Sequence, residues 1–354
     1  MINYKKLSII IVTYNSEQYL NMLIKSILKQ NYDKNAFEII FVDNTSRDNT
    51  RKIIIDLKRK VKDIKIKTVF LDKNTGYCLG NNIGAKHSSK ESEYLLFLNP
   101  DTVIDNNFIY EMVKYMEENH SIGLASSLIV FYNTDRLDNF GLYMDPYGAV
   151  LGRMFLKKVS ELDNYHNKDP FFYAHGAALI IRKKIFDLVR GFDPILFMYH
   201  DDVDISWRVR LMGYEIGLVK NTKCYHMKKK KEFIYLSTWK HYFVNRNRIR
   251  ILLKNYSFKK IIERMAFAIV LMYLRSLYVA LTKKDALYLL YFLKAIIWNI
   301  LKIKDTYINR MIIQRRRVVP DKTIEKYIFP YSLELAFIKL ILRKSLRNIT
   351  RVLC

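Results

Sequence analysis

Short apolar runs alternate with longer helical stretches over the first hundred residues of the chain. Four runs rich in β-branched and aromatic residues predict strands, at residues 7–12, 37–42, 64–71 and 94–98. Stretches of helical character lie between them, at residues 16–30, 51–61 and 79–88. Nearly continuous apolar strands separated by helices are typical of a parallel sheet covered on both faces. The pattern therefore predicts an α/β fold.

Polar clusters directly follow three of the predicted strands. They occupy residues 13–16, 43–46 and 99–101. Ligands of such sheets bind in the crevice beyond the carboxyl ends of the strands. We therefore expect these clusters to line one crevice and to form a binding site.

The next part of the chain changes character twice. Residues 106–170 carry scattered Asp, Asn, Gly and Pro and predict a loop-rich stretch. Regular elements then return, and a strand, a short helix and two final strands are predicted at residues 171–182, 183–189, 214–219 and 223–227. Between them, residues 200–212 predict a helix that opens on three aspartates and ends at Gly213, in keeping with the polarity of a helix.

Charge divides the chain into two unlike parts. The 354 residues carry a net charge of +26. Residues 220–354 hold 31 of the 60 Lys and Arg but only 7 of the 34 Asp and Glu, so this part has a net charge of +24 and residues 1–219 a net charge of +2. We therefore predict a catalytic domain at residues 1–250 and a basic helical region at 251–354 that meets a polyanionic surface.

The basic region contains two apolar stretches, at residues 261–281 and 286–303. Arg275 and Lys294 interrupt them, so membrane spanning is not favoured. Helical spacing places Lys260, Arg264, Arg275 and Thr282 on one face of the first stretch, and Lys294, Trp298 and Lys302 on one face of the second. The pattern favours amphipathic helices in the plane of an anionic membrane, with residues 255–354 as the contact and with Arg315 to Arg317 and Arg343 to Arg351 adding charge. The alternatives are a helical bundle against the catalytic domain or a second subunit, and a transmembrane hairpin at 262–303.

Cysteine usage indicates a reducing compartment. Cys78, Cys224 and Cys354 lie far apart and lack the spacing of a disulfide framework or a zinc site. The apolar run at residues 7–12 is too short for a signal peptide. We therefore expect a cytoplasmic protein, peripheral at the cytoplasmic face of the membrane.

Seven segments of the chain, taken in order, resemble the rhamnosyltransferase-like branch of the inverting GT-A glycosyltransferases, which form glycosyltransferase family 2. They are 8–15 (SIIIVTYN), 38–44 (EIIFVDN), 74–77 (NTGY) with 80–84 (GNNIG), 98–101 (LNPD), 176–177 (GA), 191–193 (GFD) and 199–204 (YHDDVD). The resemblance covers residues 7 to about 250. It implies a GT-A fold, a mostly parallel sheet flanked by helices, with a C-terminal basic helical appendage.

The resemblance also implies where a nucleotide-sugar donor binds. The nucleoside pocket falls on Thr13, Tyr14, Asn15 and Asp43, and Tyr14 can offer a stacking face. Further donor contacts fall on Asn74, Asn82 and Asn99. Glycines at positions 76, 80 and 84 would allow close approach to a phosphate, although a plain turn before a helix explains the same pattern.

A metal site is implied at Asn99-Pro100-Asp101, which occupies the place of the family's D-x-D motif. The final carboxylate of that motif binds Mg²⁺ or Mn²⁺ bridging the diphosphate. Because an asparagine stands first in this chain, Asp101 is the one carboxylate of the motif and a second protein ligand is desirable. His226 falls where relatives keep a coordinating histidine, whereas a lone histidine is otherwise more often structural.

The acid cluster at residues 201–204 aligns with the family's Glu-Asp-x-Asp pattern and implies that Asp202 is the catalytic base. Crowded carboxylates raise the pKa of one member, which suits a base. Residues implied in acceptor binding or support of the base are Gly176, Asp201, Asp204, Trp207 and Arg208. Trp207 fits a core position better than an acceptor platform.

These features predict metal-assisted, inverting transfer of a rhamnose-like deoxyhexose or a hexose from a nucleotide-sugar donor. The acceptor is a hydroxyl of a glycan or a lipid-linked saccharide, and a homo-oligomer is compatible with the sequence. The alternatives are a nucleotidyltransferase of related fold and, on charge alone, a nucleic-acid-binding protein. No nucleic acid partner is expected, because the basic stretch lacks a recognised motif and an aromatic stacking platform.

Overall fold

Eleven strands and twelve helices are formed by residues 4–162, 171–227 and 237–342, which the computed structural model describes. The strands are Leu7–Thr13 (β1), Phe37–Asp43 (β2), Lys65–Phe70 (β3), Tyr94–Leu98 (β4), Thr102–Ile104 (β5), Ile122–Phe131 (β6), Leu137–Asn139 (β7), Leu142–Met144 (β8), Val150–Gly152 (β9), Ala178–Arg182 (β10) and Glu215–His226 (β11). The helices are Glu17–Leu28 (α1), Thr50–Lys60 (α2), Gly76–Lys86 (α3), Phe108–Glu118 (α4), Lys183–Leu188 (α5), Asp201–Leu211 (α6), Thr238–Asn255 (α7), Phe258–Lys283 (α8), Leu287–Leu301 (α9), Ile303–Arg316 (α10), Asp321–Glu325 (α11) and Leu333–Leu342 (α12).

One mixed sheet organises the front half. Its strand order is β3-β2-β1-β4-β10-β6-β11-β5, with β7 paired to β6, while β8 and β9 form a separate hairpin. The first four strands are parallel to one another. β10 enters antiparallel between β4 and β6, and β5 pairs antiparallel with β11 at the far edge. The predicted α/β architecture is confirmed.

The hydrophobic core has two parts, one on each face of the sheet, because alternate side chains along a strand point to opposite faces. Along β1, Ile9 and Ile11 face α1, α2 and α4, whereas Ile10 and Val12 face the side covered by α3, α6 and α7. Both sets are buried, which is why the run reads as continuously apolar. Glycines let α3 approach the sheet, because a Cβ on Gly84 would lie 2.4 Å from Cγ2 of Ile10.

Residues 106–170 contain more regular structure than the sequence indicates. They form α4 and the ten-residue strand β6, whose side chains are all buried. Conversely, the strand predicted at 171–182 is confined to β10. The two strands predicted at 214–219 and 223–227 are a single strand, β11, with a register irregularity between Val219 and Lys223. The polar residues at the irregularity resemble a turn in sequence, although the ladder continues past them.

The C-terminal helices pack on the catalytic half through α7, which runs across the predicted domain boundary at residue 250. Buried residues recur every three or four positions on α8, at Ala268, Leu271, Met272, Ser276 and Ala280. By length and composition α8 could cross a membrane, a finding that differs from the expectation that spanning is not favoured. α9 is shorter, at 15 residues.

The basic face predicted on the first stretch packs toward the protein, whereas Lys294 and Lys302 of the face predicted on the second stretch are exposed. Lys260 and Arg264 both contact Glu325, and Arg275 lies 3.7 Å from Glu334. Trp298 covers the guanidinium of Arg246. Lys260, Arg264 and Arg275 thus pair with carboxylates of the same chain and do not form an outward basic stripe on α8. Residues 343–351 lie outside the described residues.

Candidate active site

The carboxyl ends of β1 and β2 lie side by side because Thr13 pairs with Asp43 in the parallel register. Thr13 Oγ1 donates to Asp43 Oδ1 over 3.1 Å, and the Ser46 hydroxyl donates to the same oxygen. Asp43 Oδ2 accepts from the backbone N–H of Ser46 and from Nε of Arg51 at 2.6 Å. Asp43 is fully buried. Both of its oxygens therefore shape the loop, and its contact with a nucleoside stays a prediction.

Tyr14 and Asn15 extend from this loop toward solvent. The Tyr14 side chain is 49% exposed, so its ring face is accessible for stacking on a base. Asn15 has a positive φ of 50° and its side-chain oxygen accepts from the backbone of Arg47. The predicted nucleoside pocket is thus assembled at one place, next to the buried Asp43.

The segment before and within α3 is a structured turn. Asn74 accepts from the backbone N–H of Gly76, and Asn44 accepts from both the backbone and the hydroxyl of Thr75. Asn82 was expected to contact the donor, but its amide both donates to and accepts from the backbone of Phe192. Asn82 therefore holds the 191–193 segment in place, and its contact with the donor stays a prediction.

Asp101 and His226 meet because of strand register. Thr102 of β5 pairs with His226 of β11, so Asp101 directly precedes the paired position. The N–H of Met227 donates to the Asp101 carbonyl over 2.8 Å. As a result, Nε2 of His226 lies 3.3 Å from Oδ2 of Asp101. The two metal ligands expected from the sequence are thereby brought together.

Asp138 of β7 completes this arrangement from the other side of the imidazole. Its Oδ2 lies 3.1 Å from Nδ1 of His226, and its side chain is almost fully buried. Burial alone lowers the pKa of His226, but the charges and hydrogen bonds of Asp101 and Asp138 outweigh burial and raise the pKa to about 9. Asp138 orients the ring so that Nε2 faces Asp101.

The residues present fit a hard divalent cation. Two adjacent ligands of an octahedral ion at about 2.1 Å are about 3 Å apart, close to the Asp101–His226 separation. A carboxylate that accepts from the distal nitrogen of a metal-binding histidine is a recurrent second-layer contact. Within the described residues no cluster of three or more His, Cys, Asp or Glu is placed to hold a metal. The remaining ligands would have to come from the diphosphate and water.

A turn at residues 175–177 connects this pair to the acid cluster. The Ala177 carbonyl accepts from the N–H of Asn99, and the N–H of Gly176 donates to Oδ2 of Asp202 over 3.2 Å. The side-chain oxygen of Asn99 is buried without a partner among the described residues, which leaves an acceptor for a ligand. Asn99, Asp101, Gly176 and Asp202 are therefore neighbours in one site.

The aspartates of the acid cluster have different environments because they lie on different sides of α6. Burial, and then the charge of Asp202, raises the pKa of Asp201 well above its ordinary value. The sequence suggested that crowding would raise the pKa of the base itself, whereas the structure raises it at the preceding residue. A protonated Asp201 removes one like charge beside Asp202. Asp202 is half-buried and lies at the crevice.

Asp204 and Arg208 lie behind the crevice. Arg208 contacts Asp204 through Nε at 2.9 Å and Nη2 at 2.7 Å, and its Nη1 donates to the carbonyls of Val189 and Gly191. Burial raises the pKa of Asp204, but Arg208 and Lys254 outweigh it and the pKa is lowered. The pair supports α6 and does not face the crevice.

Trp207 is fully buried, with its ring edge-on to the rings of Phe172 and Tyr256 at 5.3 and 4.6 Å. The core position favoured by the sequence is confirmed.

Sequence reasoning missed three residues of this site. Asp138 lies in a stretch that reads as loop, Tyr77 reads as one more aromatic in a turn, and Lys254 falls at the start of the predicted basic helical region. Only Tyr77 lies inside a segment that carries the family resemblance. Their roles depend on register and helix packing, which connect residues 61 to 99 positions apart.

A nucleotide-sugar glycosyltransferase is the class of enzyme that this fold and site define. Residues 8–189, just over half of the chain, match the profile of Glycosyl transferase family 2, and the chain belongs to that family.

Characterised relatives and solved structures agree with this assignment. The chain is 27% identical over 268 residues to the low-salt glycan biosynthesis hexosyltransferase Agl10 of Haloferax volcanii, covering 74% of this chain and 79% of the relative. It is 28% identical to the dTDP-rhamnosyl transferase RfbF of Shigella flexneri, covering 58% and 63%. The mannosyltransferase PcManGT of Pyrobaculum calidifontis, solved with GDP-Man and Mn²⁺, matches 89% of this chain and 86% of its own at a TM-score of 0.54 and 14% identity. The structural likeness confirms the GT-A fold.

Proposed function

We propose that this chain transfers a deoxyhexose or hexose from a nucleoside diphosphate donor to a hydroxyl of a glycan or lipid-linked saccharide, with inversion. Agl10 is named a hexosyltransferase and RfbF a dTDP-rhamnosyl transferase, which supports these donor classes. The observation that carries the proposal is the placement of the Asp101–His226 pair and of Asp202 on either side of one turn.

Each part of that arrangement has a chemical task. Asp202 accepts the proton of the incoming hydroxyl, so a single carboxylate on the acceptor side suffices and no enzyme nucleophile is needed. Asp101 and His226 would hold Mg²⁺ or Mn²⁺, and the bound ion would neutralise negative charge on the departing diphosphate. Tyr14 stacks on the base of the nucleotide, and the side-chain oxygen of Asn99 accepts from the donor.

The first test is Asp202→Asn, which preserves shape and removes basicity. We expect acceptor-dependent release of nucleoside diphosphate to fall by about 10² to 10⁴, with donor affinity nearly unchanged. Release would be measured from a panel of nucleotide sugars with Mn²⁺ and a membrane extract as the source of acceptor. Glu111→Gln, which removes an acid from the first turn of α4, is the matched control and should keep wild-type turnover.

Three outcomes would contradict the assignment. Near-normal turnover of Asp202→Asn would show that Asp202 is not the catalytic base. A product that keeps the anomeric configuration of the donor, read by NMR, would exclude one-step inversion. Release of pyrophosphate in place of nucleoside diphosphate would indicate the nucleotidyltransferase alternative.

We further propose that the outward faces of α8 and α9 contact an anionic membrane. Exposed apolar side chains recur at helical spacing on α9, at Leu287, Leu290, Leu293, Ile297, Ile300 and Leu301. On α8, Ile262 and Leu281 are about two-thirds exposed. Apolar side chains exposed at this density on two neighbouring helices suit the boundary between headgroups and acyl chains.

Sedimentation with anionic vesicles tests this contact. We expect Leu293→Glu with Ile297→Glu to reduce the bound fraction at least tenfold, because two apolar side chains leave the lipid and two like charges replace them. Ile55→Glu on α2 is the matched control, since Ile55 is an exposed apolar residue on the catalytic half. Unchanged sedimentation of the double variant would contradict the proposal. Release of wild-type protein by high salt indicates a surface contact, and resistance to salt indicates that α8 spans.

A further inference from the structure

The turn at residues 175–177 is held on several sides. Nδ1 of His175 accepts from the N–H of Ala177 over 3.0 Å, and the carbonyl of Ala177 accepts from Asn99. At its centre, the N–H of Gly176 donates to Asp202. The turn thus lies between the Asn99-Pro100-Asp101 motif and the proposed base.

Tyr77, in the first turn of α3, reaches the same turn from another element. Its hydroxyl donates to the carbonyl of Gly176 over 2.9 Å, and its ring meets Phe192 edge-on at 5.8 Å. Burial, followed by the charges of Asp201 and Asp202, raises the pKa of Tyr77 well above its ordinary value. The hydroxyl therefore remains a donor across the working pH range.

The Gly176 carbonyl and the Ala177 N–H belong to one peptide unit, which is bonded at its oxygen to Tyr77 and at its nitrogen to His175. Gly176 itself lacks a Cβ, so its φ and ψ are weakly restrained by its own chemistry. Fixing that peptide unit restrains ψ of Gly176 and hence the direction in which the preceding N–H points. That N–H is the one that meets Asp202.

We propose that Tyr77 is a positioning residue for Asp202 and acts through the backbone of Gly176. The inference rests on the proposed role of Asp202 as base. A hydrogen bond to the charged carboxylate favours its ionised form, so a well-aimed Gly176 N–H keeps Asp202 deprotonated and correctly turned. The titratable groups that face Asp202 include Asp201 on its own helix, Tyr77 on α3 and Tyr173 before the turn.

Tyr77→Phe tests the proposal by removing one oxygen atom. We expect kcat to fall about fivefold with donor KM unchanged, which is the effect of losing one ordinary hydrogen bond. The acid limb of the kcat/KM profile should move to higher pH by about half a unit to one unit, because the base becomes easier to protonate. Tyr32→Phe is the matched control, since the Tyr32 hydroxyl makes the same kind of bond to the carbonyl of Lys5 elsewhere in the molecule. That variant should keep the wild-type pH profile.

A double-mutant cycle separates this proposal from the assignment of Asp202 itself. If Tyr77 acts through Asp202, then Tyr77→Phe has no further effect on the residual turnover of Asp202→Asn. The same fivefold loss in both backgrounds would overturn the positioning role, as would an unmoved acid limb or a loss confined to donor KM. Near-normal turnover of Asp202→Asn alone would instead refute the proposed function. Thermal unfolding of each variant shows whether a loss of turnover accompanies a loss of fold.

Discussion

Carboxylates serve two different purposes in two regions of the molecule. At the crevice, Asp101 contacts His226 and Asp202 accepts from Gly176, and both carboxylates are only partly buried. Between α6 and the C-terminal helices, Asp193 and Asp204 are buried against cations. Lys254 bridges the two, at 2.5 Å from Asp193 and 2.8 Å from Asp204, and Arg250 also contacts Asp193.

The difference arises because carboxylates of one acidic cluster lie on opposite sides of α6. Asp202 and Asp204 are two residues apart on α6, so their side chains point about 200° apart around the helix axis. One therefore faces the crevice and the other the helices of the C-terminal part. Lys254 and Arg250 of α7 therefore neutralise the carboxylates buried beside α6, the helix that carries the proposed base.

Breaking the bridge is expected to produce the largest effect. Lys254→Met leaves Asp193 and Asp204 buried without their shared cation and should lower the free energy of unfolding by about 3–5 kcal/mol. Urea denaturation would measure the change. Lys34→Met is the matched control, because the Lys34–Asp63 pair is about half-exposed and such pairs contribute about 0–1 kcal/mol. Equal losses in the two variants would show that the buried bridge has no special role.

The Asp101→Ala variant tests the proposed metal site at the crevice. Asp101→Ala should reduce kcat/KM by about 10²-fold at fixed Mn²⁺ and weaken Mn²⁺ binding, while the free energy of unfolding changes little. Asp138→Asn, which only orients His226, should weaken Mn²⁺ binding by about 10- to 100-fold. Mn²⁺ titration followed by electron paramagnetic resonance, with nucleoside diphosphate present, measures both. Wild-type affinity in Asp101→Ala would place the metal elsewhere.

The residues of the crevice could be predicted from the sequence more completely than those of the interface between α6 and the C-terminal helices. Thr13, Asp43 and Asp101 follow apolar strands directly, and the rule that parallel strands present their carboxyl ends together is sufficient to group them. The interface depends on pairings such as Arg250 with Asp193, 57 residues apart, which leave no periodic trace in the chain. For the same reason the sequence did not show that Asn82 fastens Phe192 or that Asp138 meets His226. Strand β6 was missed because Gly123, Ser126 and Ser127 interrupt its apolar run, so it lacks the continuous β-branched pattern of β1 and β2.

The smallest expected effect is a loss of stability in acid at the interface. Glu334 of α12 makes a bidentate pair with Arg248 of α7 at 2.8 and 2.9 Å. Burial raises the pKa of Glu334, but Arg248 outweighs it and the pKa is lowered from its ordinary value. A carboxylate whose pKa is lower in the folded than in the unfolded chain contributes stability that is complete above the unfolded pKa, about 4.3, and is lost as the pH falls through the folded value.

We therefore expect the free energy of unfolding to fall by at most about 1 kcal/mol between pH 6 and pH 3.5 on account of this pair, as measured by urea denaturation at each pH. In Glu334→Gln, whatever its stability at pH 6, the change over that interval should shrink, because the titrating group is absent. Glu91→Gln is the control, since Glu91 pairs with Lys6 at the surface, where both side chains are more than half exposed, and its variant should keep the wild-type pH dependence. An equal pH dependence in wild type and Glu334→Gln would mean that the C-terminal helix is not held to α7 by an ionised pair, and the contrast between a catalytic crevice and a charge-stabilised interface would then rest on Lys254 alone.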